Sequence, residues 1–178
     1  MCTSRLFSRL LEQGSDQELG RWAWMRFKAN DDFNLAILTA YQVSQKTLQG
    51  LGMETTYMQQ WRKLKPMSDG NCNPRHQLWI DLHQQIQGFQ EEGNEVICMM
   101  DANSDDEDEE FTTFMESTQL LDLHEDLHPI QTPPTYNRGT RKIDYILGTM
   151  KISSSVTKGG LTTYNDGLKF SDHRAISI

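Results

Sequence analysis

Apolar and polar positions along the chain repeat at periods that mark out elements. Residues 21–28 (RWAWMRFK) and 33–41 (FNLAILTAY) are two apolar, aromatic runs separated by Ala29-Asn30-Asp31-Asp32. Asn and Asp tolerate turn conformations, so the pair predicts a β-hairpin. From Thr55 to Leu64 the large side chains Tyr57, Trp61 and Leu64 recur at helical spacing, and Pro66 lies just beyond. Residues 67–75 (MSDGNCNPR) read as a loop. Leu78, Leu82, Ile86 and Phe89 then form one apolar stripe of a helix that Gly93 closes. The run EVICMM (Glu95 to Met100) predicts a short strand buried on both faces.

Phe111 to Leu121 predicts a further helix, whereas the paired prolines of QTPPTYN exclude a helix interior there. In KIDYIL, Ile143, Tyr145 and Leu147 alternate with Lys142, Asp144 and Ile146, so one strand face carries the acid. RAISI predicts a last short strand, while residues 1–20 read as polar, helical or loose sequence. Strands and helices are interspersed without an internal repeat. The expected class is α/β or α+β, layered around a sheet.

The length of 178 residues suits one domain, and seven Phe, four Trp and five Tyr can anchor a core although only 37% of residues are hydrophobic. No apolar run is long enough to predict a transmembrane helix, and the opening MCTSRLFSRLLEQG lacks the core of a secretory signal. The scattered Cys2, Cys72 and Cys98 form neither a disulfide framework nor a zinc motif. An intracellular protein, nuclear or cytoplasmic, is the expectation.

A net charge of −8 argues at first against a polyanionic partner. Most of that excess is one segment, Asp105 to Glu110 (DDEDEE), so it does not describe the whole surface. The expectation for residues 104–110 is a solvated, mobile acidic loop. A calcium loop begun by Asp101, Asn103 and Asp105 is excluded: its turning glycine is Asp106 and its closing glutamate is Thr112.

Acids and one histidine cluster at strand ends, where a rigid scaffold can aim them together. Asp101 and Asn103 follow EVICMM two positions apart, so both point to one side of an extended chain. Asp144 lies within KIDYIL, where an unpaired buried carboxylate is costly. Ser171-Asp172-His173 precedes the last strand. These three neighbours cannot themselves form a Ser-His-Asp relay, because adjacent side chains do not converge in that geometry.

Four segments in this order resemble the endonuclease/exonuclease/phosphatase superfamily. AILTAYQV resembles the family strand ending in Tyr, and VICMMDANSD resembles its apolar strand followed by Gly-Asp-x-Asn, with Met100 in place of Gly. TYNRGTRKIDYILGT resembles the Ile-Asp-Tyr segment, SDHRAI the Ser-Asp-His signature, and GRWAWMRF the hairpin of retroelement-type members. The resemblance implies a single DNase I-like layered α/β sandwich over residues 1–178: a mixed sheet with flanking helices, N-terminally truncated.

It also implies roles. Asp101 would deprotonate or orient the attacking water, and Asn103 would hold that water and stabilise the phosphorane. Tyr41 would contact the phosphate, and His173, oriented by Asp144, would donate to a phosphate oxygen. Asp172 would belong to the metal-side acids, with Mg²⁺ or Mn²⁺ as cofactor. Arg138 and Arg141 flank this site and would bind substrate, with Trp61, Arg62, Lys63 and Lys142 as further basic and aromatic surface for a nucleic-acid backbone. The family's metal-binding Glu is not recognisable, since Glu12 and Glu18 lack a strand context. The implied activity is Mg²⁺-dependent phosphodiester hydrolysis by an endonuclease of mobile-element type, DNA being the favoured substrate. The alternatives are a catalytically defective remnant or interaction domain, and a phosphatase of small molecules on the same scaffold.

Overall fold

The computed structural model describes residues 4–29, 33–44, 52, 54–67, 72–129, 133–164 and 171–178. Its centre is a six-stranded mixed sheet made of β1 (Leu10–Ser15), β2 (Trp22–Lys28), β3 (Asn34–Tyr41), β4 (Asn94–Asp101), β5 (Leu121–Asp122) and β6 (Asp144–Gly148). The spatial order is β1-β2-β3-β4-β6-β5. Only β3 and β4 run parallel, and a right of passage between them requires a crossover, supplied here by α2 (Thr56–Leu64) and α3 (Pro74–Glu91). The predicted hairpin is β2 and β3, paired without a break from Trp22↔Ala40 to Lys28↔Asn34; its turn residues Asn30 to Asp32 lie outside the described residues.

Each helix starts where its sequence offers a cap. The Thr55 hydroxyl accepts from the Met58 amide, and the Asn73 side-chain Oδ1 accepts from the Arg75 amide with Pro74 as first helical residue. Helix α3 ends as Gly93 turns the chain with φ +76, a conformation glycine adopts without strain. Its stripe of Leu78, Leu82, Ile86 and Phe89 packs with Trp79 on Ala36, Leu38, Ala40, Val96, Cys98 and Met100 of the sheet. Each such large side chain contributes about 1.5–3 kcal/mol on full burial. Helix α4 (Glu109–Thr118) adds Phe111 and Phe114, which close around Trp79 at ring-centroid distances of 5.5 and 4.9 Å. At the far edge α5 (Leu123–Leu127) packs Leu123 against β6, where a Cβ on Gly148 would lie 2.9 Å from both Leu123 methyls. Glycine is what permits that approach.

Three expectations are corrected. First, residues 1–20 are not merely loose: a short helix α1 (Ser4–Phe7) precedes β1, an edge strand paired with β2 from Leu10↔Phe27 to Ser15↔Ala23. Its side chains are mostly exposed, so it carries no apolar alternation to read. Secondly, EVICMM is buried on one face only. Val96, Cys98 and Met100 meet the helices, while Met99 is 40% exposed on the opposite face beside Ile37, Thr39 and Met25. Thirdly, the acidic run is not one mobile loop. Asp108 caps α4 by accepting from the Glu110 and Phe111 amides, and Glu109 and Glu110 form its first turn, favourably placed at the positive end of the helix dipole.

Beyond β6 lie a single turn of helix, α6 (Met150–Ser153), and a two-stranded sheet of β7 (Gly160–Leu161) and β8 (Ile176–Ser177). Ile176 and Arg174 reach the helix-free face of the large sheet, beside Met99 and Ile146. No described helix is long and apolar enough to cross a membrane.

Candidate active site

Tyr41, Asp101 and Asp144 form one row across three strands, Tyr41 opposite Asp101 on β3/β4 and Asp101 opposite Asp144 on β4/β6. Directly opposed residues point to the same face. That face is the one the helices leave open, and the row occupies its end. The two acids are therefore brought together by strand register.

His173 joins them from the C-terminal segment. It forms a β-bridge with Tyr136 and stacks on that ring at 5.0 Å, and its amide donates to the Ser171 hydroxyl. The segment opposite is fixed by buried Thr135, whose hydroxyl accepts from the Ile143 and Asp144 amides. This places the His173 Nδ1 2.9 Å from one Asp144 oxygen and 3.1 Å from the other. Burial opposes the charged imidazole, but the hydrogen bond and charge of Asp144, reinforced by Asp101 and Asp172, hold the His173 pKa above its ordinary value.

Asp101 is raised as well, first by burial and then by the facing charge of Asp144. Asn103 follows in a left-handed conformation, φ 45, with its amide donating to Asp101 Oδ1 at 3.1 Å and its Nδ2 to the Gln42 carbonyl at 2.7 Å. One Asp101 oxygen is thus occupied locally, leaving the other toward the cleft. The Tyr41 hydroxyl is raised by burial and by Asp101, and hydrogen bonds with Asn103 and Ser44 partly offset this.

Among the described residues, Asp101, Asp144 and His173 have ligand atoms that all lie within 4.8 Å of one another. Two opposed carboxylates repel one another, and a hard divalent cation suits that donor set. Asp172 is exposed next to His173 and outside this group; its carbonyl accepts from the Asn137 amide. Glu12 does have a strand context, on β1, but its carboxylate pairs with Arg26 at 2.8 Å, well away from the Tyr41 end of the sheet. The exposed Lys63 ammonium donates to the Glu18 carbonyl.

The remaining basic residues divide. Arg138 is exposed on the turn after Tyr136. Arg141 bridges Asp105 and Glu107 of the acidic run, both at 2.7 Å. Lys142 is buried in an ion pair with Asp122 and is not a surface contact. Trp61 carries Lys65 over its ring at 4.7 Å. Two residues passed over in the sequence reach the site: Arg174 lines the shallow cleft of about 340 Å³ with Asp101 and Asp144, and Arg75 supports it from behind. The Ser-Asp-His-Arg string signals the former; the latter looks like ordinary solvated charge after a proline.

No family model matches the chain, and no curated protein sequence does. Solved structures do. The chain is similar to the human nocturnin catalytic domain with bound sulfate (TM-score 0.61, 15% identity, 96% of this chain and 59% of that one). It is similar to an AP endonuclease from Archaeoglobus fulgidus (TM-score 0.61, 14% identity, 94% and 69%). A third is the 3′ phosphatase NExo from Neisseria bound to a product DNA hairpin (TM-score 0.57, 13% identity, 93% and 68%). The chain spans about three fifths of the nocturnin domain it matches. Its mixed sheet and flanking helices share the DNase I-like fold of these solved structures.

Proposed function

We propose that the chain is a metal-dependent phosphodiester hydrolase acting on nucleic acid, with DNA favoured. The observation that carries this reading is the Asp144–His173 pair facing Asp101 across one sheet register. In-line hydrolysis of a phosphodiester needs a positioned water, a proton donor and charge neutralisation, with little covalent chemistry. Asp101, whose carboxyl lies above the ordinary range, accepts a proton from water more readily than an ordinary surface aspartate. Asn103 holds that water and donates to the charged phosphorus oxygens, and Tyr41 contacts the phosphate. His173, whose charged form Asp144 favours, donates from Nε2 to the developing charge.

Asp101 and Asp144 would hold Mg²⁺ or Mn²⁺, with exposed Asp172 as the adjacent acid. Bound there, the ion neutralises phosphate charge and stabilises the leaving oxygen. Exposed Arg138 supplies cationic surface for the backbone, and Arg141 does so once Asp105 and Glu107 release it. Two of the similar proteins are an AP endonuclease and a phosphatase bound to DNA, which favours DNA over a small phosphoester. A mobile-element origin rests on the GRWAWMRF hairpin alone.

The test is cleavage of supercoiled plasmid and of an abasic oligonucleotide duplex, with Mg²⁺, Mn²⁺ or chelator. Expected are metal-dependent products from the wild-type chain and none from His173→Ala at equal folded concentration. Equal cleavage by the two proteins overturns the reading.

A further inference from the structure

Behind the cleft lies a buried arginine that neither catalysis nor packing alone accounts for. Arg75 is 5% exposed, in the first turn of α3. Its guanidinium reaches three acceptors at once: the Val43 carbonyl at 2.5 Å, the Asn103 carbonyl at 3.0 Å and the Ser104 hydroxyl at 2.6 Å. Asp108, the cap of α4, lies 3.8 Å away. Val43 lies two residues past the strand ending in Tyr41, and Asn103 and Ser104 two and three residues past the strand ending in Asp101. One side chain therefore ties together the two loops that carry the site.

The tie is reinforced by Gln42, which is 1% exposed. Its amide donates to the Asp101 carbonyl, its own carbonyl accepts from Asn103 Nδ2, and its side chain meets the Ser104 hydroxyl at 3.1 Å and the Arg75 carbonyl at 3.4 Å. Asn103 needs such support, because a residue with a Cβ held at φ 45 is disfavoured unless its surroundings over-determine it. Burying an arginine is itself costly, and an apolar side chain of similar size would fill the space without that cost. The fork geometry explains the choice. A planar guanidinium offers five donors in fixed directions, whereas an ammonium on a flexible stem cannot meet these three acceptors together.

We infer that Arg75 is a positioning residue of the proposed hydrolase: it locks the Asn103 turn, and through it the Asp101 carboxylate and Asn103 carboxamide, against the Tyr41 strand. The inference rests on the hydrolase reading for its consequence in catalysis but not for its geometry. A displacement of about 1 Å at a reacting group can cost roughly 10²-fold in rate.

The experiment pairs steady-state cleavage with the side-chain amide NMR signals of Asn103, on wild type, Arg75→Lys and Arg75→Met. Expected are a kcat reduced by about 10²-fold per folded molecule with KM changed less than about twofold. The Asn103 amide protons should also lose their slow exchange in both variants. A lowered melting temperature with unchanged kcat and unchanged Asn103 signals would make Arg75 merely structural and overturn the inference. If the wild type cleaves nothing, the hydrolase reading fails by itself, and the NMR arm decides: unmoved Asn103 signals sink the positioning role, moved ones sustain it. Should both Arg75 variants fail to fold, Ser104→Ala removes one acceptor from the fork. It should lower kcat and loosen Asn103 in the same direction to a smaller extent, and wild-type behaviour of that variant counts against the inference.

Discussion

The Asp144 carboxylate holds Nδ1 of His173 at 2.9 Å, across 29 positions of sequence, while facing Asp101 on the neighbouring strand. One acid thus acts on two titrating groups in the same direction. It raises His173 by favouring the imidazolium and raises Asp101 by repelling a second negative charge.

In the metal-free chain, Asp144→Asn should therefore move the titration of both Asp101 and His173 toward acid. NMR titration of the Asp101 carboxyl and the His173 imidazole from pH 4 to 10 in chelator, for wild type and variant, checks this. A His173 titration that stays in place would detach that imidazole from the Asp144 charge.

Stability should respond to the same charges. Asp101 has a folded pKa above its unfolded value, so its contribution is fully present below the unfolded pKa and is lost as pH rises through the folded one. His173 has the same sign, so its contribution is lost as pH rises through a value above the ordinary one of about 6.5. At neutral pH without divalent cations, Asp101→Asn should accordingly raise the melting temperature; with Mg²⁺ present it should abolish cleavage. A gain of about 1 kcal/mol corresponds to roughly 2–4 °C at this chain length. An unchanged or lower midpoint in a chelator-containing thermal scan would mean the Asp101–Asp144 repulsion is already relieved by solvent.

The acids of Asp105 to Glu110 should not be equivalent. Asp108 accepts from two backbone amides at the start of α4, so Asp108→Ala should cost about 0.5–2 kcal/mol. Asp106 is exposed, and its replacement by Ala should be close to neutral, within about 0.5 kcal/mol. Urea midpoints of the two variants separate these expectations.

Arg141 should gain nucleic-acid affinity when its two acids are neutralised. The double change Asp105→Asn/Glu107→Gln removes both partners at 2.7 Å and two charges that repel phosphate. Nonspecific duplex binding at low salt should tighten, and the slope of log K against log salt should steepen by about one contact. Fluorescence anisotropy across a salt series measures both, and an unaltered slope would place Arg141 outside the binding surface.

What could be read from residues alone differed with the physics of each element. Asp101 and Asp144 were legible as acids on strands, and Tyr41 and His173 through the resemblance of AILTAYQV and SDHRAI; register aligns the first three, and the Tyr136 bridge adds His173. Strand β1 was not, because Leu11, Glu12 and Gln13 are exposed and main-chain pairing, invisible in composition, holds it to β2. The open face under Met99 was hidden for the converse reason. An apolar run says that a strand is buried but not against how many layers. Arg75 escaped because buried and solvated arginines look alike until their acceptors, here Val43, Asn103 and Ser104, are brought together. Arg141 and Lys142 were recognisable as basic, but nothing local disclosed that Asp105, Glu107 and Asp122 already engage them.

The row of Tyr41, Asp101 and Asp144 has a consequence for the order of folding events. Tyr41 meets Asp101 through parallel pairing across an intervening two-helix crossover, and Asp144 and His173 are added from still later segments. Such distant pairings are slow, because chain closure must precede the contacts that reward it. No early hairpin or nascent helix holds two of these groups together, so partly folded chains carry no half-built site. During synthesis the cleft closes only after His173 has followed the sheet into place.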